Sequence, residues 1–252
     1  MPGDEPLIVE VRDDGVAWIR FNRPDYRNAL DADQWDRLAR ALGELADNRA
    51  VRCLVITGAN QVFAAGGDLK RLLNELDEPD GPKAFRDRIH RCLDALYSFP
   101  RPTIARVNGA AIGGGLELAI ACDIRIAVQS AKWGMPAARF GMVMAVTDFK
   151  RLASVVGIDR ARFLAITADV ISGEEAHRIG LVHELVAEAD LGSATERWVG
   201  RICKMEPEAV EWFRRAGRAL ESGDDLGPLK AFEEECLRRL EFRGRVEAFI
   251  AK

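Results

Sequence analysis

The chain has little cysteine or histidine, and it has no excess of positive charge. Its 252 residues include five cysteines and three histidines, and 36 basic residues face 40 acidic ones, for a net charge of −4. The cysteines are scattered without metal-ligand spacing, which predicts reduced core thiols in a cytoplasmic protein with no metal. An acidic chain without a long basic run is unsuited to binding nucleic acid. No Ser/His/Asp constellation is evident either.

Long hydrophobic runs are also missing. The longest apolar stretch, residues 107–122, is interrupted by Asn108, by glycines and by Glu117, so no membrane span is predicted. The opening Met-Pro-Gly-Asp-Glu lacks the basic and apolar regions of a signal peptide. With 48% apolar residues the chain can nevertheless bury a sizeable core.

Alternating strand and helix patterns dominate the first part of the chain. Such alternation predicts an α/β protein with a largely parallel sheet. From about Thr147 the pattern becomes almost wholly helical, so we predict a core over residues 1–190 and a helical region over 191–252. The predicted strands are Leu7–Val11, Val16–Phe21, Cys53–Thr57, Thr103–Val107, Ile124–Val128 and Leu181–Val186. The principal helices of the core are predicted at Asp31–Asp47, Asp68–Leu76 and Gly114–Cys122, with another ending at Ser98.

Two glycine-rich segments each lead into a predicted helix. They read Val-Phe-Ala-Ala-Gly-Gly-Asp-Leu over 62–69 and Asn-Gly-Ala-Ala-Ile-Gly-Gly-Gly-Leu-Glu-Leu over 108–118. The first amides of a helix lack internal partners and sit at its positive end. Two such amides converging on one oxygen would make an oxyanion hole. Simple tight turns are the alternative, while neither segment keeps the spacing of a phosphate loop or a dinucleotide fingerprint.

Glu117 lies three residues beyond Gly114, on the same face of the predicted helix. That spacing places a carboxylate beside any oxygen that the Gly114 amide holds. An acid within an otherwise apolar helix favours a catalytic role. A carboxylate that interacts with the helix dipole, or an ordinary ion pair, is the alternative.

Further segments accompany these two loops. They are Arg-Pro-Asp-Tyr-Arg-Asn-Ala-Leu over 23–30, Cys-Asp over 122–123, Trp-Gly-Met-Pro over 133–136 and Gly-Glu-Glu-Ala-His-Arg-Ile-Gly-Leu-Val over 173–182. Together with the loops, they resemble the crotonase (enoyl-CoA hydratase/isomerase) superfamily over most of the chain. The resemblance implies a ββα spiral core with a C-terminal helical trimerisation region. It also implies acyl-CoA substrates, a homotrimer or dimer of trimers, and no cofactor beyond the CoA carried by the substrate.

The resemblance also implies roles for particular residues. The amides of Gly67 and Gly114 would form the oxyanion hole, and Glu117 would match the first of two glutamates that hydratases of this family use. Basic side chains near the first loop could meet the phosphates of CoA, although each alone also fits a solvated surface charge. The residues predicted to contact CoA are Arg23, Arg27, Ala29, Ala65, Asp68, Leu69 and Lys70.

One position departs from the hydratase pattern. The second glutamate of the family follows a proline, and here that place is Ala137. Hydration needs a positioned, deprotonated water and a proton for the α-carbon, which two carboxylates supply well. Asp148 or Arg139 could replace the missing group. The leading prediction is therefore a hydratase/isomerase-type enzyme, with a decarboxylase, a thioester hydrolase or a non-catalytic acyl-CoA-binding protein as alternatives.

Overall fold

The larger of two sheets contains the strands with the clearest sequence patterns. The computed structural model describes residues 5–251, apart from the side chains at positions 240 and 241. This sheet has six strands in the order β1-β2-β3-β5-β7-β10; the first two are antiparallel and the others parallel. The strands are β1 (Leu7–Val11), β2 (Val16–Phe21), β3 (Cys53–Gly58), β5 (Thr103–Val107), β7 (Ile124–Val128) and β10 (Glu184–Val186).

The smaller sheet consists of four three-residue strands in the order β4-β6-β8-β9. Strands β4, β6 and β8 run parallel, and β9 pairs with β8 antiparallel. The sequence analysis did not predict any of the four. They are β4 (Val62–Ala64), β6 (Ala110–Ile112), β8 (Lys132–Gly134) and β9 (Val170–Ser172).

Helices follow each two consecutive strands of the chain in a repeating order. After β3 and β4 come α2 (Leu69–Leu76) and α3 (Gly81–Tyr97), after β5 and β6 comes α4 (Gly114–Ala121), and after β7 and β8 comes α5 (Val146–Val156). Each turn of the chain thus adds one strand to each sheet and then helix, which confirms the predicted ββα spiral. The remaining helices are α1 (Ala32–Asp47), α6 (Ile158–Thr167), α7 (Gly173–Arg178), α8 (Leu191–Ile202), α9 (Pro207–Ser222), α10 (Gly227–Arg238) and α11 (Leu240–Ile250).

Local chemistry sets several of these boundaries. Asp31 begins α1 as predicted, since its side chain accepts a hydrogen bond of 2.9 Å from the amide of Gln34. The predicted strand Leu181–Val186 is wrong in its first half. The amides of Leu181 and Val182 donate to the carbonyl of Ala176, so the turn after α7 uses them and the strand begins at Glu184. No helix within residues 5–251 is both long and apolar enough to cross a bilayer.

The chain divides into two compact units, the first ending at Met205 and the second beginning at Glu206. The first unit contains both sheets and helices α1–α8. Within the second unit, the indole N–H of Trp212 donates to the carbonyl of Leu229 over 2.9 Å, which ties α9 to α10. The sequence analysis placed the start of the helical region at 191, whereas α8 belongs to the first unit.

Candidate active site

Three loops meet because three strands of the small sheet are parallel neighbours. Residues 65–68 follow β4, residues 113–114 follow β6, and residues 135–137 follow β8. The carboxyl ends of adjacent parallel strands lie at one edge of a sheet, and ligands of α/β proteins bind there. All three loops line one pocket of about 760 Å³.

The two glycine loops touch through their backbones. Gly66 has a φ of +97°, and a Cβ added there would lie 2.9 Å from the carbonyl oxygen of Ile112. Gly113 has a φ of +53°, and its amide donates to the carbonyl of Gly134 over 2.9 Å. Both positions therefore require glycine, for its left-handed backbone and, at Gly66, for the absence of a side chain.

The backbone on either side of Gly67 is hydrogen-bonded to Leu30, as it would be between two strands. The amide of Leu30 donates to the carbonyl of Gly66 over 2.8 Å, and the amide of Asp68 donates to the carbonyl of Leu30 over 3.0 Å. Gly114 is the first residue of α4, where amides have no intrahelical acceptor. Among residues 5–251 neither the Gly67 nor the Gly114 amide has a protein acceptor. Two unused donors thus belong to residues that line one pocket.

A third glycine allows α4 to pack tightly on β4. A Cβ added at Gly115 would lie 2.3 Å from the carbonyl oxygen of Ala64, so Gly115→Ala must push the helix away from the strand. We expect this variant to lose about 1–3 kcal/mol of unfolding free energy in a urea titration. Gly43→Ala is the matched control, because nothing lies within 4 Å of a Cβ there in α1. The control should be neutral or gain up to about 1 kcal/mol; equal behaviour of the two variants would contradict this packing argument.

Glu117 brings a carboxyl group to the same pocket. It is half-buried on α4, and its neighbours Leu116, Leu118 and Ala119 are fully buried. Burial, reinforced by the charge of Asp148 and partly opposed by Arg151, raises the pKa of Glu117 to about 8. At neutral pH this carboxyl group therefore carries its proton and can donate it.

Asp148 brings a second carboxylate to the pocket, from the first turn of α5. Its side chain is 2% exposed and receives a hydrogen bond of 2.6 Å from Nη1 of Arg151. Nη2 of the same arginine donates to Asp94 on α3 over 2.6 Å, and the guanidinium stacks 4.3 Å from the ring centre of Tyr97. Burial raises the pKa of Asp148, and Arg151 opposes that shift.

The sequence analysis named Asp148 but missed the arginine that holds it. The available signal was the i, i+3 spacing of Asp148 and Arg151, which puts opposite charges on one helical face. Arg139, the other suggested replacement, is exposed and is not a lining residue. Ala137 lines the pocket and brings no charge to it. The apolar wall of the pocket contains Met135, Met142 and Met144.

Arg23 is engaged by neighbouring carboxylates. Its side chain is 9% exposed and lies 2.9 Å from Asp31 and 3.4 Å from Asp68, and it also donates to the carbonyl of Ala29 over 2.8 Å. These partners tie the 23–31 loop to the start of α2. The placement of Arg23 therefore favours a role in holding the loops together over one in binding phosphate.

The other residues predicted to contact CoA fall into two groups. Ala65 and Leu69 line the pocket with Gly67. Outside the lining, Asp68 begins α2 by accepting from the amide of Arg71, and the carbonyl of Arg27 accepts from the amide of Ala65 over 3.1 Å. The predicted residues that do not line the pocket are Arg23, Arg27, Ala29, Asp68 and Lys70, of which Arg27 and Lys70 are exposed.

Comparisons with known proteins identify the family of the chain. The model of the enoyl-CoA hydratase/isomerase family matches residues 11–236. The chain is 32% identical to a short-chain-enoyl-CoA hydratase of Clostridium acetobutylicum over 97% of this chain and 95% of that protein. It is 36% identical to a crotonyl-CoA hydratase of Syntrophomonas wolfei, over 84% of this chain and 81% of that protein.

Solved structures of enoyl-CoA hydratases are also similar to this chain. An enoyl-CoA hydratase from Bacillus anthracis superposes with a TM-score of 0.86 at 27% identity, covering 98% of this chain and 96% of that one. The fold and the relatives together define a crotonase-fold enzyme of the class that processes acyl-CoA. By the family match and the relatives, the chain belongs to the enoyl-CoA hydratase/isomerase family.

Proposed function

We propose that the enzyme moves a proton at the α-carbon of an acyl-CoA thioester while the amides of Gly67 and Gly114 hold the enolate oxygen. The hydratase/isomerase reaction type fits this chemistry best. The observation that carries the proposal is the position of Glu117: its carboxyl group, with a pKa of about 8, lines the same pocket as the two unused amides.

The chemistry follows from where charge develops. When an acyl-CoA becomes an enolate, negative charge collects on the thioester oxygen, and two fixed N–H donors stabilise it more than they stabilise the neutral carbonyl. Each such donor contributes about 3–4 kcal/mol in comparable sites. The proton on Glu117 can then pass to the α-carbon, which restores the thioester carbonyl.

The names of the relatives suggest the substrate. Two of them are named for short-chain enoyl-CoA and crotonyl-CoA, so we propose a short, apolar 2-enoyl-CoA for this chain. The methionine-rich wall beside Glu117 supports an apolar acyl group, because flexible thioether side chains adapt to such groups.

Crotonyl-CoA in D₂O is the direct test. The expected result is 3-hydroxybutyryl-CoA carrying deuterium at the α-carbon, detected by mass spectrometry. An isomerase would leave crotonyl-CoA without added water and would instead move the double bond of a 3-enoyl-CoA, with exchange at the α-carbon. If no 2- or 3-enoyl-CoA gains α-deuterium or is converted, the proposal is wrong.

Decarboxylation is the second candidate, and Ala137 favours it. Loss of CO₂ from a 2-carboxyacyl-CoA leaves the electron pair of the broken C–C bond in the enolate, so no second carboxylate is needed as a base. The protonated Glu117 would then only supply the α-proton. Release of CO₂ from malonyl-type thioesters, without conversion of crotonyl-CoA, would replace the first candidate with this one. Free CoA as the only product would indicate hydrolysis, and tight binding without any product would indicate a binding protein.

We also propose that CoA lies along the loops before α1 and α2. The exposed side chains of Arg27 and Lys70 are available to its phosphates, and the 29–30 and 65–69 segments offer backbone to the pantetheine and adenine. The chemistry requires no cofactor other than the CoA of the substrate.

The proposed oligomer is a homotrimer or a dimer of trimers. Support comes from the second unit, which exposes large apolar side chains that a partner would cover. Those that are more than three-fifths exposed are Phe213, Leu220, Leu237, Phe249 and Ile250. Sedimentation velocity measures the mass, and a monomer at micromolar concentration would contradict the proposal. We propose a cytoplasmic location because a few scattered cysteines in a chain of this size are typical of a reducing compartment.

A further inference from the structure

We propose that Asp148 fixes the proton on Glu117 and is thus a positioning residue for the proton donor. The inference rests on the proposed function, which gives the proton its use, but the electrostatic interaction between the two carboxyl groups can be tested without turnover.

The geometry places two carboxyl groups in one pocket, and one of them is hydrogen-bonded to an arginine. Glu117 on α4 and Asp148 on α5 both line the pocket. Asp148 is almost completely buried, and the hydrogen bond from Arg151 holds it. A buried carboxylate with a charged partner stays ionised more readily than one without, so Asp148 is the group that carries the negative charge.

The cation that holds Asp148 also binds a second carboxylate. The guanidinium of Arg151 is divided between Asp148 and Asp94, 2.6 Å from each. One positive charge therefore already serves two carboxylates. Ionised Glu117 would add another negative charge beside Asp148 in a poorly solvated wall, which is unfavourable. The proton consequently remains on Glu117.

This arrangement suits a donor to an enolate. In the step, the electron pair of the enolate forms the new C–H bond, the O–H bond of Glu117 breaks, and the thioester carbonyl is restored. Glu117 is left as a carboxylate beside Asp148 and regains a proton from water. A neighbouring anion adds to the effect of burial in keeping the donor protonated before each encounter, and Ala137 cannot be that neighbour because it has no charge.

Other titratable groups face the same wall. Those acting on Asp148 are His90 and Asp94 from α3 and Arg151 from its own helix, and those acting on Glu117 are Asp148 and Arg151. Arg86 and Asp87 of α3 also line the pocket. Each titration below is therefore repeated in a His90→Gln background, so that a histidine transition is not taken for that of Glu117.

Infrared difference spectroscopy of the ligand-free enzyme tests the inference directly. The carboxyl C=O band that disappears in Glu117→Gln identifies Glu117, and its pH dependence gives the midpoint of the titration. We expect a midpoint near 8 in the wild type and a downward shift on the order of one pH unit in Asp148→Asn. Asp148→Glu, which keeps the charge, should restore the high midpoint.

A second variant is expected to shift the midpoint in the opposite direction, so the inference can still be tested if Asp148→Asn does not fold. Removing the cation in Arg151→Gln leaves two carboxyl groups to share their protons, so the upper midpoint of the pair should rise. Asp159→Asn is the matched control, since Asp159 is an exposed aspartate in the first turn of α6, and it should leave the midpoint unchanged.

The outcomes separate this inference from the proposed function. An unchanged midpoint in folded Asp148→Asn, or a wild-type midpoint near that of an ordinary glutamate, overturns the role of Asp148. Opposite shifts in Asp148→Asn and Arg151→Gln support it even if no acyl-CoA is turned over. In that case the proposed function fails while the coupling of the two carboxyl groups stands.

Discussion

Glu117→Gln is expected to lower kcat on the preferred acyl-CoA by about 10²–10⁴-fold, the usual effect of removing a proton-transfer group. The amide of glutamine keeps the size of the side chain but has no acidic proton. Binding should change little, because the two backbone donors and the apolar wall remain. Stopped-flow turnover with a parallel binding titration separates kcat from affinity.

Glu174→Gln is the matched control for that substitution. Glu174 is an exposed glutamate in the first turn of α7 and does not line the pocket, so its variant should keep wild-type kcat. A Glu117→Gln enzyme within tenfold of wild type would remove Glu117 from the proton transfer. The remaining rate would then have to come from the oxyanion hole or from Asp148.

The pH dependence of the wild type has a definite direction. The raised pKa of Glu117 means that the donor form is present below about pH 8 and is lost as the pH rises through that value. The rate should therefore fall on the alkaline side, with a midpoint near the infrared midpoint of Glu117. A rate that rises across the same interval would show that the carboxylate, acting as a base, is the working form.

The strands of the large sheet could be predicted because their patterns are long. Four of them, β1, β2, β5 and β7, begin and end at the predicted residues. The continuous run Cys53–Thr57, which predicts β3, is typical of a strand covered on both faces. The start of α1 could be predicted from a capping interaction that depends only on Asp31 and the amide three residues later.

The small sheet could not be predicted in the same way. Its strands have three residues each, too few to show a period of two, and they lie in segments that read as loops. Val62–Ala64 and Ala110–Ile112 are strands because they pair with each other across the fold, not because of local preference. Yet this sheet is what brings the loops after β4, β6 and β8 to one edge.

Some features of the candidate site could likewise be predicted from the sequence, and others could not. The glycine loops suggested an oxyanion hole, the family resemblance assigned it to Gly67 and Gly114 with Glu117 beside them, and the structure places these three at one pocket. Arg23 and Arg151 also form ion pairs with partners distant in the chain. Arg23 meets Asp68 across 45 positions, and Arg151 meets Asp94 across 57. Single-sequence reading cannot show which charges are already paired.

Gly114→Pro is expected to lower kcat by about 10²–10³-fold, because it removes one N–H donor from the proposed oxyanion hole. Gly114 is the first residue of α4, the position where a helix tolerates proline best. The helix should therefore form, while the pyrrolidine ring occupies the place of the amide hydrogen. The loss should appear in kcat more than in KM, since the donor acts mainly on the charge of the transition state.

Gly114→Ala separates the missing donor from the added side-chain atoms. A Cβ at this position lies 2.9 Å from the indole ring of Trp35, so both variants disturb that ring, but only proline removes the N–H. We expect the alanine variant to be less stable than wild type and to keep a kcat at least tenfold above that of the proline variant. Equal losses in the two would assign the effect to the displacement of Trp35 and would remove the Gly114 amide from the oxyanion hole. A selective loss with proline would leave the amide of Gly67 as the remaining donor, whose contribution the residual rate would then report.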